Sequence, residues 1–328
     1  MLLAGDIGGT KTNLAIFSPQ EGPYVPVEEA TFPSGEYDSL EAIVAEFIEQ
    51  AEHSVEWASF GVAGPVVGSR ATITNLPWVI EEDQLEEMLG LDTVRLLNDL
   101  NAIAHAVPFL KPDDLYALNV GDPEPGENLA VIAPGTGLGE AFLVWDGTIY
   151  RPSGSEGGHT DFAPTTPLQM EMLRYLQDQY HRVSYERVCS GSGIPNIYRF
   201  FKEVRNISEP GWLSEQLAQA DDPTPVIVNA ALEQEPPEIC RLTLEMFVSI
   251  LGAEAGNLTL KTMGIGGVYM GGGIPPRIIA ALEDPSFMQN FANKGRFSDM
   301  MTKVPVYVIC NPKVALLGAA CHGLEIRP

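Results

Sequence analysis

An acid stands where a short apolar run gives way to a helical pattern. Val94-Arg95-Leu96-Leu97 leads into Asn98-Asp99, and Leu100, Ile103, Ala104 and Val107 then recur at helical spacing. A carboxylate at the end of a buried strand is held rigidly at a sheet edge, where α/β proteins place reacting groups. There it could take a proton from a substrate hydroxyl. Asp99 could equally be the N-cap of the following helix, the commonest role for Asp at such a junction. On this stretch alone both readings stay open.

Other stretches offer chemistry of a different kind. Leu2–Asp6 runs into Ile7-Gly8-Gly9-Thr10-Lys11-Thr12, and a second strand follows over Asn13–Phe17. Paired glycines leave backbone N–H groups uncovered, and an acid just before them could hold a metal-bound water. Together they could seat a phosphate. A plain hairpin with Asp6 as turn former is the alternative. The P-loop pattern would need Gly at position 10, where Thr10 stands. Leu129–Ala133 runs into Pro134-Gly135-Thr136-Gly137-Leu138-Gly139, and Ala141–Trp145 leads back out. The glycine spacing is GxGxG with a strand after it, so the dinucleotide fingerprint is not met. Two strand–turn–strand units of one kind, each opening a run of strands, suggest a duplicated architecture with a ligand between the halves.

Ser155-Glu156-Gly157-Gly158-His159-Thr160-Asp161 gathers an acid and a histidine in one loop with exposed backbone. His159 there reads either as a hydrogen-bonded turn residue or as a ligand contact. Ser184-Tyr185-Glu186-Arg187 reads as the entry to a short helix, with Glu186 able to pair with a nearby Arg. Gly267–Met270 is a strand that stops at Gly271-Gly272-Gly273 before a new helix. Bare backbone beside a helix N-terminus would seat a flat purine.

The elements that must position these residues alternate between strand and helix through both halves. Amphipathic helices are expected from Leu40 to Ala51 and over Leu168–Tyr180, and strands over Trp57–Val62, Ala71–Thr74 and Val304–Cys310. The turn Asn75-Leu76-Pro77-Trp78 could line a cleft, with Trp78 in the core. Residues 206–237 read as one helix with loops on the outside. Ile239–Met263 is the longest periodic helix, and Gly252 and Gly256, four apart, are expected to allow close packing. Val314–Leu324 reads as a closely packed helix of small residues. Lys111-Pro112-Asp113-Asp114 has the composition of a boundary.

The chain has 328 residues, enough for about two domains. Hydrophobic residues make up 45% and charged residues 19%, as in a globular protein. A net charge of -25 argues against nucleic acid or an anionic membrane as partner. A bound polyanion would have to be held by backbone N–H groups, helix N-termini and a metal ion. Cys189, Cys240, Cys310 and Cys321 form no CxC or CxxC pair and are expected to be reduced and mostly buried. An acid at position 6 and the lack of a basic leader argue against a signal peptide. No uncharged run reaches ~18 residues, so no membrane span is expected, and the reading is of a cytoplasmic protein.

Taken together, Asp6-Ile7-Gly8-Gly9-Thr10, Leu97-Asn98-Asp99, Pro134–Gly139, Glu156–His159, Arg182–Arg187 and Gly271–Gly273 resemble, in order and spacing, the bacterial glucokinases of the sugar-kinase, Hsp70 and actin clan. The resemblance covers nearly the whole chain. It implies an α/β, two-lobed, ribonuclease-H-like (actin-like ATPase) fold with mixed sheets and an interlobe cleft. The small domain would comprise residues 1–110 and 312–328, and the large domain 111–311. It further implies ATP, Mg²⁺ and glucose as ligands, and a homodimer. Asp99 would be the general base. Asn98, Asp99, Glu156, His159 and Glu186 would hold the sugar hydroxyls. Gly8, Gly9 and Thr10 would face the transferred phosphate, and Asp6 would hold Mg²⁺ through water. Gly135, Thr136 and Gly137 would cradle the other phosphates, and Gly271, Gly272 and Gly273 the adenosine. The related repressor–kinase group carries a zinc-binding cysteine cluster after a Glu-x-Gly-His motif. Here the loop has an extra glycine and there is no such cluster, so His159 is expected to contact sugar and not zinc. Alternatives are a kinase for another hexose or an N-acetylhexosamine, and a non-catalytic sugar-sensing protein on the same scaffold.

Overall fold

The computed structural model describes residues 1–73 and 76–327. The chain divides into two compact units. Unit 1 comprises Met1–Lys111, Arg151–Ser153 and Asn311–Pro328, and unit 2 comprises Pro112–Tyr150 and Gly154–Cys310.

Unit 1 begins with β1 (Leu2–Ile7), β2 (Lys11–Phe17), β3 (Pro26–Pro33), α1 (Leu40–Gln50) and β4 (Trp57–Val62). Three short strands follow, β5 (Val66–Val67), β6 (Arg70–Thr72) and β7 (Val79–Glu81), and form a small sheet of their own. Then come α2 (Glu82–Leu89), β8 (Val94–Asn98) and α3 (Asp99–Ala106). The strand expected over Ala71–Thr74 is β6. Thr74 and Asn75 lie outside the described residues, while Trp78 is buried in the core as expected. The main sheet has the order β3-β2-β1-β4-β8. β1 pairs antiparallel with β2 and parallel with β4, and β4 pairs parallel with β8. The central strands are continuous buried runs, as parallel strands covered on both faces must be.

Unit 2 contains β9 (Leu115–Asn119), β10 (Leu129–Pro134), β11 (Leu138–Trp145) and the ends of β12 (Tyr150–Ser155), whose Arg151–Ser153 fall in unit 1. The helices α4 (Pro167–Tyr180), α5 (Ile194–Glu203), α6 (Gly211–Gln219), α7 (Pro223–Ala231) and α8 (Glu238–Thr262) follow. β13 (Gly267–Met270), α9 (Ile279–Leu282), α10 (Pro285–Ala292), α11 (Ser298–Met301) and β14 (Val306–Ile309) complete it. The sheet order is β12-β11-β10-β13-β14-β9. Here too an antiparallel hairpin, β10–β11, is followed by two parallel pairings, β10–β13 and β13–β14. The same topology thus occurs twice, which accounts for the echoed Gly-rich turns.

Two expectations change. Residues 206–237 hold two helices, α6 and α7, and α7 is not external: it buries Ile227, Val228 and Ala230. After Gly273 no long helix begins. A 3₁₀ turn, Pro275–Arg277, precedes the four-residue α9. Gly252 and Gly256 do serve packing. A Cβ at either would sit 2.4 Å from a carbonyl oxygen of α10, that of Phe287 or Phe291.

The last helix, α12 (Val314–Glu325), returns to unit 1 and covers β1 and β4. Trp57 Nε1 donates to Gly323 O at 2.8 Å, and Ser59 Oγ lies 3.0 Å from His322 Nδ1. Against α3 the contact is backbone on backbone, since a Cβ on Gly318 would lie 1.7 Å from Ala102 O. Gly318→Val must therefore push α12 off α3. It is expected to lower the unfolding free energy by roughly 1–3 kcal/mol or more. A denaturant melt checks this, and a loss under about 0.5 kcal/mol, as for an ordinary surface change, would show that the helices have room.

Candidate active site

In unit 1 the hairpin β1–β2 is closed by Gly8 N donating to Lys11 O at 2.9 Å. A Cβ on Gly8 would meet that same oxygen at 2.9 Å, so the turn closes only around glycine. Ser34 braces the turn from outside. Its Oγ donates to Gly8 O at 2.7 Å, and its N–H donates to Thr10 O at 3.0 Å. Gly8 and Gly9 are half-buried and Thr10 is exposed, so the turn offers backbone to solvent.

Asp6 pairs with Asn13 across the hairpin, and Asn13 Nδ2 donates to Asp6 Oδ2 at 3.3 Å. Thr31 Oγ1 fixes the amide by donating to Asn13 Oδ1 at 2.9 Å. Burial pushes the Asp6 carboxyl up to about 6. The Asn13 hydrogen bond acts in the other direction, and nearby Asp99 adds to the rise.

At the end of β8 the cap of α3 is Asn98, not Asp99. Asn98 Oδ1 accepts from Leu100 N at 3.0 Å, and its Nδ2 donates to Gly64 O at 3.0 Å. The amide ends the strand, starts the helix and ties both to the segment after β4. Asp99 is the first helical residue, and its Oδ1 also accepts from Leu100 N, at 2.8 Å. Burial holds its carboxyl above the ordinary range, against the hydrogen bonds from Leu100 N and the Asn98 side chain. A raised carboxyl is a better proton acceptor than a surface one.

Unit 2 gathers most of its expected residues around Glu186. Gly135 N donates to Gly137 O at 2.9 Å to form the turn. The loop before α5 lines this turn: Gly191 N donates to Gly135 O at 2.7 Å, and Ser192 N to Thr136 O at 3.2 Å. Glu186 Oε2 accepts from Leu138 N at 3.1 Å and lies against Gly137, where a Cβ would be 2.5 Å away. Its other oxygen, Oε1, is 4.0 Å from His159 Nδ1, and His159 Nε2 is 3.8 Å from Glu156 Oε2. Among the described residues Glu186 forms no ion pair with an Arg; it joins the Gly135–Gly137 turn to the histidine loop. Glu156 is 89% exposed and His159 58%, so both present their polar groups to solvent. The loop is anchored by Tyr185 N donating to Thr160 O at 3.0 Å, and by Arg182 donating to His159 O and pairing with Asp161.

Gly271–Gly273 lies beside the same turn. Gly271 N donates to Ile132 O at 2.9 Å. Gly272 has φ +83°, and a Cβ there would stand 2.5 Å from Pro134 O, so only glycine fits. Added Cβ atoms on Gly135 and Gly273 would meet nothing within 4 Å, which leaves two stretches of uncovered backbone.

The structure therefore places Asp6, Gly8, Gly9, Thr10, Asn98 and Asp99 in unit 1. Gly135, Thr136, Gly137, Glu156, His159, Glu186 and Gly271–Gly273 fall in unit 2. Sequence reasoning missed Asn13, Ser34, Gly64 and Gly191. Asn13 could have been found from the hairpin register, whereas Ser34, Gly64 and Gly191 carry no local signal. Among the described residues no cluster of three or more His, Cys, Asp or Glu could hold a metal. All four cysteines are free. Three are buried, in keeping with the expectation that most would be, and Cys310 is exposed. No helix among the described residues is long and apolar enough to cross a membrane.

A family model described as Glucokinase matches residues 3–325. A glucokinase of Nostoc punctiforme is 39% identical, with 98% of each chain covered. Among solved structures, a glucokinase from an Antarctic psychrotroph superposes with a TM-score of 0.84 at 30% identity, covering 99% of this chain and 98% of that one. A ROK family glucokinase from Streptomyces griseus, in complex with glucose and AMPPNP, has a TM-score of 0.63 at 20% identity, with 97% of each covered; it shares the fold.

The raised carboxyl of Asp6 makes a prediction about stability. Unfolded, this group loses its proton near 3.8; folded, it keeps it up to about pH 6. The stability it confers below 3.8 is therefore lost as pH rises to about 6. Asp6→Asn avoids that loss. In metal-free protein the variant is expected to gain on the order of 1–3 kcal/mol over the parent between about pH 4 and pH 7. Denaturant melts at the two pH values measure it, and a gap that stays constant would contradict the assignment.

Proposed function

The chain belongs to the glucokinase family, and we infer that it is an ATP-dependent glucokinase, moving the γ-phosphoryl group of ATP to the 6-hydroxyl of glucose to give glucose 6-phosphate and ADP. The observation that carries this reading is the Asp99 carboxyl. It is buried enough to be more basic than usual, and Asn98 fixes it at a strand end in the same unit as the Gly8–Thr10 turn.

Phosphoryl transfer needs in-line positioning and charge neutralisation more than covalent help. Asp99 accepts the proton of the 6-hydroxyl as that oxygen attacks the γ-phosphorus, and the bond from phosphorus to the bridging oxygen of ADP breaks. Asn98 donates to Gly64 O and to the Asp99 carboxyl, and its Oδ1, which accepts from Leu100 N, keeps a second lone pair that can receive a sugar hydroxyl. Glu156, Glu186 and His159 hold further hydroxyls, since carboxylates accept from several donors. N–H groups of the Gly8–Thr10 and Gly135–Gly137 turns take the phosphate oxygens, and the open backbone of Gly271–Gly273 takes the adenosine.

Asp6 fits a Mg²⁺ held through water. A single hard oxygen donor with substrate phosphates is this ion's usual setting, and two crowded carboxyls, Asp6 and Asp99, would be relieved by a cation. Bound there, the ion would supply charge neutralisation at the phosphates. The proximity of His159 to Glu156 and Glu186 supports its reading as a sugar contact. The family resemblance extends the same reading to a homodimer working in the cytoplasm at the entry to glycolysis.

Asp99→Asn preserves the shape of the site and removes the base. It is expected to lower kcat by ~10²–10⁴-fold with little change in glucose KM. A fall of less than about tenfold would remove Asp99 from the role of base. In a coupled assay with a panel of sugars, glucose is expected to be phosphorylated first, and faster turnover of another hexose or an N-acetylhexosamine would overturn the substrate assignment. Glu156→Gln and Glu186→Gln are expected to raise glucose KM by roughly tenfold each, about the worth of one charge-assisted hydrogen bond.

A further inference from the structure

Unit 2 buries a pair of acids that the phosphoryl-transfer chemistry leaves unused. Glu140, on β11, is 1% exposed and Glu254, on α8, is 0% exposed. Glu254 is well supplied with donors: Lys261 Nζ at 3.1 Å and Asn257 Nδ2 at 2.8 Å. Lys294 holds Asn257 in turn, donating to its Oδ1 at 2.7 Å. Among the described residues nothing donates to Glu140 Oε1. Two ionised carboxylates cannot hydrogen-bond each other, and an unsatisfied buried oxygen is costly. One proton on Glu140 resolves both problems by making it a donor to Glu254.

The other side of Glu140 bears on the histidine loop. A Cβ on Gly157 would lie 1.9 Å from Glu140 Oε2, so the loop's backbone rests directly on this carboxyl. Glu140 O accepts from Ser155 Oγ at 3.2 Å, and Ser155 Oγ accepts from Gly157 N at 3.1 Å. The network has a second arm. Asn257 Nδ2 donates to Tyr185 OH at 3.0 Å, one residue from Glu186. The groups that buttress Glu156 and His159 and those behind Glu186 therefore meet at Glu254.

We propose that Glu140 is a positioning residue for sugar binding: as a neutral acid sharing one proton with Glu254, it sets the loop that carries Glu156 and His159. The proposal rests on the reading of those residues and Glu186 as sugar contacts. Burial and Glu254 push the Glu140 carboxyl up to about 8, while Lys261 acts in the other direction. Tyr185 and Cys189 near the pair are both held in their neutral forms, chiefly by burial, and Lys294, which also feels Glu254, is drawn down by its own burial. Loss of the shared proton would leave two buried negative charges beside one contacting ammonium, that of Lys261. The Glu140 carboxylate would then be driven from its place under Gly157.

The test is glucose KM from about pH 6 to pH 9 for the parent, Glu140→Gln and Glu140→Ala, with Glu156→Gln and Glu186→Gln alongside and melting temperatures for all. In the parent, KM is expected to rise about tenfold between pH 7 and 9, as for one required proton. Glu140→Gln keeps a donor to Glu254 and cannot ionise. It is expected to stay within about twofold of the parent at pH 7 and to lose the alkaline rise. Glu140→Ala is expected to raise KM roughly five- to tenfold at every pH. An alkaline rise that survives in Glu140→Gln overturns the proposal. So does a Glu140→Ala that melts lower but keeps the parent's KM, the mark of a purely structural role. Should Glu140→Ala fail to fold, the Gln profile decides alone. If Glu156→Gln and Glu186→Gln leave KM unmoved, the sugar-contact reading is what fails; if they raise it and Glu140 variants do not, the proposal fails by itself.

Discussion

The amide of Asn98 is the interaction on which unit 1 turns. Its oxygen receives the first free N–H of α3, and its nitrogen holds the carbonyl of Gly64, so one side chain decides where β8 stops and α3 starts. An Asp at that position could accept but could not donate, and the tie to Gly64 would be lost. Because Asn98 does the capping, Asp99 is released from it. Its Oδ1 shares the Leu100 N–H with Asn98, at 2.8 Å. A base needs to be rigid and yet have a free lone pair, and splitting capping and chemistry between neighbours supplies both. The backbone contact between Gly318 and Ala102 then fixes the helix that carries Asp99, the proposed base.

Both units brace a Gly-rich turn by the same physical means. Backbone N–H groups can bind an anion only if side chains stay out of the way, so glycine supplies the opening and something else must supply stiffness. In unit 1 the brace is the neutral hydroxyl of Ser34 under Gly8. In unit 2 it is the Glu186 carboxylate on Leu138 N, together with the backbone of Gly191. The second choice does more than stiffen. A carboxylate that holds the turn and also faces His159 couples the turn to the histidine loop through a single side chain.

The chain is strongly acidic, with a net charge of -25, which opposes the binding of an anion such as ATP. The conflict is local and is resolved locally. Three acids are taken out of water and pushed toward their neutral forms: Asp6 and Asp99 in one unit, Glu140 in the other. The remaining acids are largely exposed, some in surface ion pairs such as Arg241–Glu245 and Arg205–Glu171, each of which contributes little. Backbone dipoles, which carry no net charge, remain as the means of holding phosphates.

Sequence alone determined what depends on neighbours along the chain. The buried runs Leu2–Ile7, Trp57–Val62 and Leu129–Pro134, the glycines that end them, the 25-residue helix α8 and the order of the motifs were all legible, because periodicity and turn chemistry are local. So was the duplication, through the two hairpins. The identity of the cap at Asn98 was ambiguous because Asn and Asp cap almost equally well, and only the carbonyl of Gly64 decided between them. Tertiary structure alone decided that Glu186 lies under Gly137, that Glu140 lies under Gly157 beside Glu254, and that Ala102 meets Gly318. These pairs are far apart in sequence, and their chemistry depends on burial and on space denied to a Cβ. Neither exists until the strands have paired and the helices have closed over them.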